Sequence, residues 1–249
     1  MCRLLAFASV APTTPVDLLA DDLTSFVALS QEHADGWGMA WYDDDGELDL
    51  AKDVEPARES QLLDKLTRTT GADAMVLHLR RASPGLSVAL ENTHPFAAGQ
   101  LAFAHNGWIR PVPELEDLLE SQTRHVLRGT TDSERCFHLL LAALAQTGDF
   151  EQALPHVVER LDGRLHYTAL NCVLLTEQRL YAACVFNPDE PMPYGDPDYY
   201  TVGYRVSPDA VVVGSSGCWG DPGEWEPLAN GQVLVVDRGT LATTVVDLG

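Results

Sequence analysis

Basic residues are scarce in this chain: 16 Lys and Arg stand against 37 Asp and Glu, a formal charge of −21. That imbalance argues against a nucleic-acid partner, because a phosphate backbone is held by clustered Lys and Arg. The acidity itself reads as solubility, and a single local Arg can still hold a carboxylate inside an acidic protein. Also missing is any apolar run near the ~18 residues that span a bilayer, so no membrane partner is expected. The N-terminal stretch lacks the pattern of a signal peptide, turning acidic from Asp17 onward, and a cytoplasmic location is the expectation. No C-x-x-C pair occurs among the 5 cysteines, Cys2, Cys136, Cys172, Cys184 and Cys218. An odd count without such pairs indicates neither a disulfide framework nor a zinc site. His33, His78, His94 and His105 lack the spacing of a zinc motif, so no metal and no cofactor are expected. No repeat, low-complexity tract or linker marks a boundary, and residues 1–249 read as a single domain.

What is present suits one globule. A chain of 249 residues that is 45% hydrophobic buries roughly three quarters of its unfolded surface and needs no covalent staple. Cys2 to Phe7 reads as a strand ended by the turn at Pro12 to Pro15, and Val16 to Ser30 as one helix. Trp37 to Tyr42, the turn Asp43-Asp44-Asp45-Gly46 and Glu47 to Lys52 form a hairpin signal. Arg58 to Arg68 has helical spacing, and Ala74 to Arg80 and Gln100 to His105 are strand candidates with polar groups at their ends. Helices are predicted over Val112 to Glu120, Asp132 to Gln146 and Phe150 to Leu161. Six β-branched or aromatic stretches follow: Thr168 to Thr176, Arg179 to Val185, Tyr199 to Val206, Ala210 to Val213, Gln232 to Asp237 and Leu241 to Val246. Strands do not alternate one-for-one with helices, so an α+β arrangement on largely antiparallel sheets is expected rather than a doubly wound parallel sheet.

Cys2 stands apart from the other thiols. An initiator Met before so small a residue is commonly trimmed, leaving Cys2 with a free α-amine. A thiol of pKa ~8.5 is only a few per cent thiolate at neutral pH, and an amine of pKa ~7.7–8.0 on the same residue can serve as its base. The bland alternative is a cysteine that merely follows Met1. Four further segments bear on the choice. L-H-L-R-R-A-S, closing at Ser83, ends a strand in Arg80 and Arg81, where burial would be costly without an anion. E-N-T-H-P-F, Glu91 to Phe96, is a polar loop fixed by Pro95. A-H-N-G-W-I sets Asn106 and Gly107 at a strand end, where an amide and a Gly N–H can converge on an oxyanion, although Asn-Gly is also a common turn. G-T-T-D-S-E sets Asp132 at an expected helix N-cap. D-G-W-G-M-A-W, Asp35 to Trp41, also fits a Gly-kinked strand packing aromatics.

Taken together, M-C-R-L-L, L-H-L-R-R-A-S, N-T-H-P-F, H-N-G-W-I and T-D-S-E resemble the class II glutamine amidotransferases of the N-terminal nucleophile (Ntn) hydrolase superfamily. D-G-W-G-M-A-W looks like the stand-alone branch that includes the γ-glutamyl hydrolase of ergothioneine biosynthesis. The motifs cover residues 1 to about 135. The resemblance implies a four-layer αββα sandwich and a cysteine amidohydrolase that cleaves a γ-glutamyl amide through a thioester. It implies Cys2 as nucleophile with its own amine as base, and Asn106 with the Gly107 N–H as oxyanion hole. It implies Arg80 on the substrate α-carboxylate and Asp132 on its α-ammonium. Arg81 stands where the sugar-amidotransferase branch has an aromatic residue and Ser83 where it has a threonine, so Arg81 carries over only as wall or support. His94 and Phe96 read as scaffold.

Two enzymatic outcomes fit that site: hydrolysis of a small γ-glutamyl substrate, or a glutaminase that passes ammonia to a separate synthase partner. The remaining strands are needed to complete the fold and leave no acceptor domain, which favours hydrolysis. Whether the chain forms a homo-oligomer stays open. A non-catalytic binding module is disfavoured because nucleophile and oxyanion pair are both intact. The loops Asn187 to Tyr200 and Ser215 to Trp225 would meet the leaving group, but carry no readable code.

Overall fold

The computed structural model describes residues 2–248. In chain order the elements begin with β1 (Arg3–Thr13), α1 (Pro15–Leu19), α2 (Asp21–Ala28), β2 (Trp37–Tyr42), β3 (Leu48–Asp53) and α3 (Gln61–Thr69). There follow β4 (Ala72–Leu79), β5 (Phe96–Ala98), β6 (Leu101–Asn106), β7 (Ile109–Arg110), α4 (Val112–Asp117), α5 (Ser121–Arg124), α6 (Asp132–Thr147) and α7 (Phe150–Leu161). The last part runs β8 (His166–Tyr167), β9 (Asn171–Leu175), β10 (Arg179–Cys184), β11 (Val202–Val206), β12 (Ala210–Ser215), β13 (Glu226–Pro227), β14 (Gln232–Asp237) and β15 (Thr243–Asp247).

Two antiparallel sheets result, ordered β13-β11-β12-β1-β4-β2-β3 and β15-β14-β10-β9-β6-β5, with β7 and β8 as a small separate pair. Alternation along each strand decides the layers. Leu4, Ala6 and Ala8 of β1, Ala74 and Val76 of β4, and Ala102 and Ala104 of β6 meet Val173, Leu175 and Val213 in one core between the sheets. The intervening residues Leu5, Phe7, Met75 and Leu77 pack outward against Leu19, Leu23, Phe26 and Leu63 of α1, α2 and α3. On the far side, Phe103, Leu174 and Val235 pack against Phe137, Leu140, Leu154 and Val157 of α6 and α7. Three cores between four layers make an αββα sandwich of the expected class. Alanine dominates several inward positions, which lets the two sheets approach closely, and each larger side chain buried there contributes roughly 1.5–3 kcal/mol.

The single helix expected over Val16 to Ser30 is two. Thr14 caps α1, whose first residue is Pro15, and Ala20 at φ 44° ends it because that backbone cannot continue a right-handed helix. The break turns the chain so that Leu19, Leu23 and Phe26 all reach the outer core. Among the described residues no helix is long and apolar enough to cross a membrane.

Candidate active site

The period-2 alternation that builds the inter-sheet core also builds the site at its end. Arg3 pairs with Leu79 and Leu4 with His78, so the same register carried one residue further sets Cys2 opposite Arg80. Cys2, His78 and Arg80 thus continue the inward series of Leu4 and Val76. On the other sheet, Asn106 continues the inward series of Ala102 and Ala104 and pairs with Asn171 of β9. All five cysteines are buried and free.

Burial pushes the Cys2 thiol up from its ordinary value, opposed by the positive chain terminus and by Arg80. The Arg81 carbonyl is a distant acceptor for that thiol at 4.0 Å. Arg3 fixes the other side: its guanidinium donates to the Cys2 carbonyl at 3.2 Å and lies 4.2 Å from the Tyr199 ring centroid. The next amide, Leu4 N–H, donates to Ser215 Oγ at 3.1 Å. Sequence reasoning missed Arg3, and it placed Tyr199 only within the loop Asn187 to Tyr200 expected at the leaving group. An arginine opening an otherwise apolar strand was the available signal.

Arg80 is 2% exposed and makes no ion pair among the described residues. It donates instead to the main-chain carbonyls of Ser87 at 2.9 Å and Asp35 at 3.5 Å. The Asp35 carboxylate, near enough to favour the cation, accepts the Ala82 N–H at 2.8 Å. A buried guanidinium without a paired anion is an expensive arrangement.

Asn106 is fully buried, and neither its amide oxygen nor its nitrogen has a hydrogen-bond partner among the described residues. At Gly107 a Cβ would overlap the Ala169 carbonyl oxygen, so only glycine lets the chain leaving β6 pass so close to Ala169. His105 holds that carbonyl: Nε2 lies 3.0 Å from it, and Nδ1 lies 2.9 Å from Ser133 Oγ. These partners imply that Nε2 carries the proton. Gly107→Ala is accordingly expected to cost ~1–3 kcal/mol as backbone overpacking. Differential scanning fluorimetry would show it as a Tm drop of about 2–4 °C per kcal/mol at this chain size.

Asp132 is not the N-cap of α6. Thr131 caps the helix by accepting the Glu134 N–H, and Asp132 is its first residue. Freed from capping, the Asp132 carboxylate accepts the Ile109 N–H at 2.6 Å. Burial pushes its pKa up, against the pull of nearby His105. It lines a cavity of about 510 Å³ together with Ser83, Trp108, Arg110, His166 and Glu190. Cys2, Arg80 and Asn106 are not on that cavity's wall. Glu190 comes from the expected leaving-group loop Asn187 to Tyr200, whereas Ser215 to Trp225 supplies no lining residue. Instead Cys218 packs on the Leu4 carbonyl and Trp219 stacks on Trp225.

The two histidines of the motifs also converge. His78 and His94 lie with ring centroids 4.2 Å apart and tilted by 31°, and His94 meets Phe96 edge-on at 4.6 Å. Gly38, paired with His78, admits the His94 loop because a Cβ there would overlap the His94 carbonyl oxygen. Gly38 thus seats that loop, while β2 keeps an unbroken register with β3 and β4 and shows no kink there.

Comparison with known proteins agrees with this architecture. The family of class-II glutamine amidotransferases matches residues 1–193, and the chain belongs to that family; it is an enzyme of that class. YafJ of Escherichia coli (strain K12) is 31% identical over 204 residues, covering 75% of this chain and 74% of that protein. The gamma-glutamyl-hercynylcysteine sulfoxide hydrolase of Mycolicibacterium smegmatis is 25% identical and the match covers 98% of this chain and 99% of that one. Other curated relatives are longer, this chain spanning 65% of one and 26% of another. The solved glutamine aminotransferase class-II domain protein of Silicibacter pomeroyi superposes with TM-score 0.70 over 99% of both chains at 24% identity, which speaks to the fold.

Proposed function

We propose that this enzyme hydrolyses a γ-glutamyl amide, in glutamine or a γ-glutamyl peptide or conjugate, through a thioester on Cys2. The observation that carries the reading is a pair of unmet groups on the inward faces of the two sheets, one of them opposite Cys2. Among the described residues, one is a buried Arg80 with no paired anion, the other a buried Asn106 amide with no partner. Such groups are costly unless a ligand completes them. An α-carboxylate and a developing oxyanion supply what is absent.

In the proposed course, removal of Met1 frees the Cys2 amine, which takes the thiol proton. The thiolate adds to the γ-carbonyl, and Asn106 Nδ2 with the Gly107 N–H receives the oxyanion. Arg80 holds the α-carboxylate and Asp132 the α-ammonium. Collapse breaks the C–N bond, the Cys2 ammonium returning its proton to the leaving ammonia or amine. Water then cleaves the thioester, giving a γ-carboxylate and the free thiol. Hydrolysis without transfer is supported by the match along nearly the whole of both chains to the sulfoxide hydrolase, a 25% identical relative. Ammonia donation to a synthase partner is the second reading. It is supported by a longer relative, the glutamine–fructose-6-phosphate aminotransferase of Gluconobacter oxydans, of which the chain matches 26%.

Intact-mass analysis with a glutamine-mimicking diazoketone tests the chemistry. Loss of Met1 and one covalent adduct, absent in Cys2→Ala, are expected. An active protein that retains Met1 sinks the amine-as-base step. Steady-state assays on glutamine, γ-glutamyl peptides and γ-glutamyl thioether conjugates then assign the leaving group.

A further inference from the structure

We propose that Cys2, His78 and His94 form a binding site for a zinc-type divalent ion, and that filling it silences the enzyme. The Cys2 sulfur and one nitrogen of each ring all lie within 4.8 Å of one another, and all three residues are buried. None of the four ring nitrogens of the two histidines makes a hydrogen bond among the described residues. A His105 main-chain group stands near His78 without meeting hydrogen-bond geometry. Burial lowers the pKa of both imidazoles, and a neutral imidazole is the form that ligates a metal.

The donor set is also chemically selective. One thiolate and two imidazoles suit zinc, which binds sulfur at ~2.3 Å and nitrogen at ~2.0–2.1 Å in a tetrahedron. Donors in such a site stand about 3.3–3.8 Å apart, so closing on the ion needs side-chain movement on the order of 1 Å. Coordination replaces the thiol proton, which leaves to solvent. Where Met1 is removed, the Cys2 amine is a fourth donor that closes a five-membered chelate ring with the sulfur. The set Cys2 N, Cys2 Sγ, His78 and His94 then leaves no open position. Such an ion occupies both the nucleophile and its base, which is inhibition rather than catalysis. Binding stands on the cluster alone; the silencing rests on Cys2 acting as the nucleophile.

Zinc motifs legible along a chain place their ligands close together in sequence, and these three donors are not close. Strands β1 and β4 and the loop before β5 bring together donors 76 and 16 residues apart in sequence order, 2 to 78 and 78 to 94. An ordered water is the rival occupant of the bare nitrogens.

Cobalt titration of the full-length, chelator-treated protein separates the two. One equivalent of Co²⁺ is expected to give thiolate-to-metal charge transfer and tetrahedral visible bands, both displaced by one equivalent of Zn²⁺. The bands vanish in Cys2→Ser, where the other four cysteines remain. His78→Gln and His94→Gln weaken binding on the order of a hundredfold, with melting curves confirming that each variant is folded. If neither histidine variant folds, the wild-type and Cys2→Ser spectra decide. Absence of a charge-transfer band in the wild type, a band that survives Cys2→Ser, or folded histidine variants that bind as the wild type would overturn the site. Turnover is read in parallel on a γ-glutamyl substrate, where zinc inhibits at the concentration that fills the site and chelator restores activity. Turnover untouched by a filled site overturns the silencing, and with no cobalt band the metal site falls while the proposed function stands. With a filled site on a protein that cleaves no γ-glutamyl substrate, the metal site stands while the proposed function and the silencing fall.

Discussion

Asn106→Ala is expected to lower kcat by about 10²–10³-fold, the usual cost of removing one oxyanion donor, without loss of folding stability. Both halves follow from one observation. The Asn106 amide is buried and has no hydrogen-bond partner among the described residues, so truncation removes a desolvated polar group that no described contact repays. The native state therefore loses nothing it depends on, whereas the tetrahedral intermediate loses a donor. Asn106→Asp should be at least as inactive, because a carboxylate there opposes the developing negative charge. Single-turnover measurement of thioester formation, beside a thermal melt, checks both. Wild-type rates in a folded Asn106→Ala protein on a substrate the wild type cleaves remove the residue from the oxyanion hole. A large fall in Tm would instead mark Asn106 as structural.

Why this part of the site was legible along the chain, and other parts were not, comes down to range. Alternating apolar residues in L-L-A-F-A, A-M-V-L and L-A-F-A define strands locally, and the polar residue that continues the inward parity at each strand end lands in the candidate site. Cys2, Arg80 and Asn106 follow that rule. The break at Ala20 was not legible, because apolar spacing through Val16 to Ser30 serves one helix and two equally well; only packing of Leu19 and Phe26 on the outer core chooses. Asp132 was misplaced by one residue for a local reason: Thr131 and Asp132 both cap well, and the Ile109 amide claims the carboxylate. Arg3 and the His78–His94 pair were hidden differently. Their partners, Tyr199 and the Cys2 neighbourhood, lie far away in the sequence, and no periodicity encodes such a meeting.

Arg80→Met carries the second large effect, with opposite signs for activity and for cost to the fold. Truncating one member of a buried charge pair costs about 2–5 kcal/mol of interaction with the partner charge, here roughly 30- to 4,000-fold in kcat/KM. The partner in the proposed reading is the α-carboxylate of the substrate, so the loss depends on that group being present. On 4-aminobutanamide, which is glutamine without its α-carboxylate, Arg80→Met and wild type should differ little. The resting protein does not need the charge. Arg80 makes no ion pair among the described residues. One of its acceptors, the Ser87 carbonyl, keeps the Asn92 amide at 3.1 Å as a donor when Arg80 is removed. The other, the Asp35 carbonyl at 3.5 Å, is a weak contact. Methionine fills similar volume without a buried charge, and replacing buried ionic groups by apolar ones is often neutral or stabilising. Tm is therefore expected to hold or rise while kcat/KM collapses, the pattern of a group kept for function at a cost to stability. Equal losses on both substrates, or a melt lowered by ten degrees or more (about 2–4 °C per kcal/mol), would place Arg80 in the scaffold instead of the substrate site.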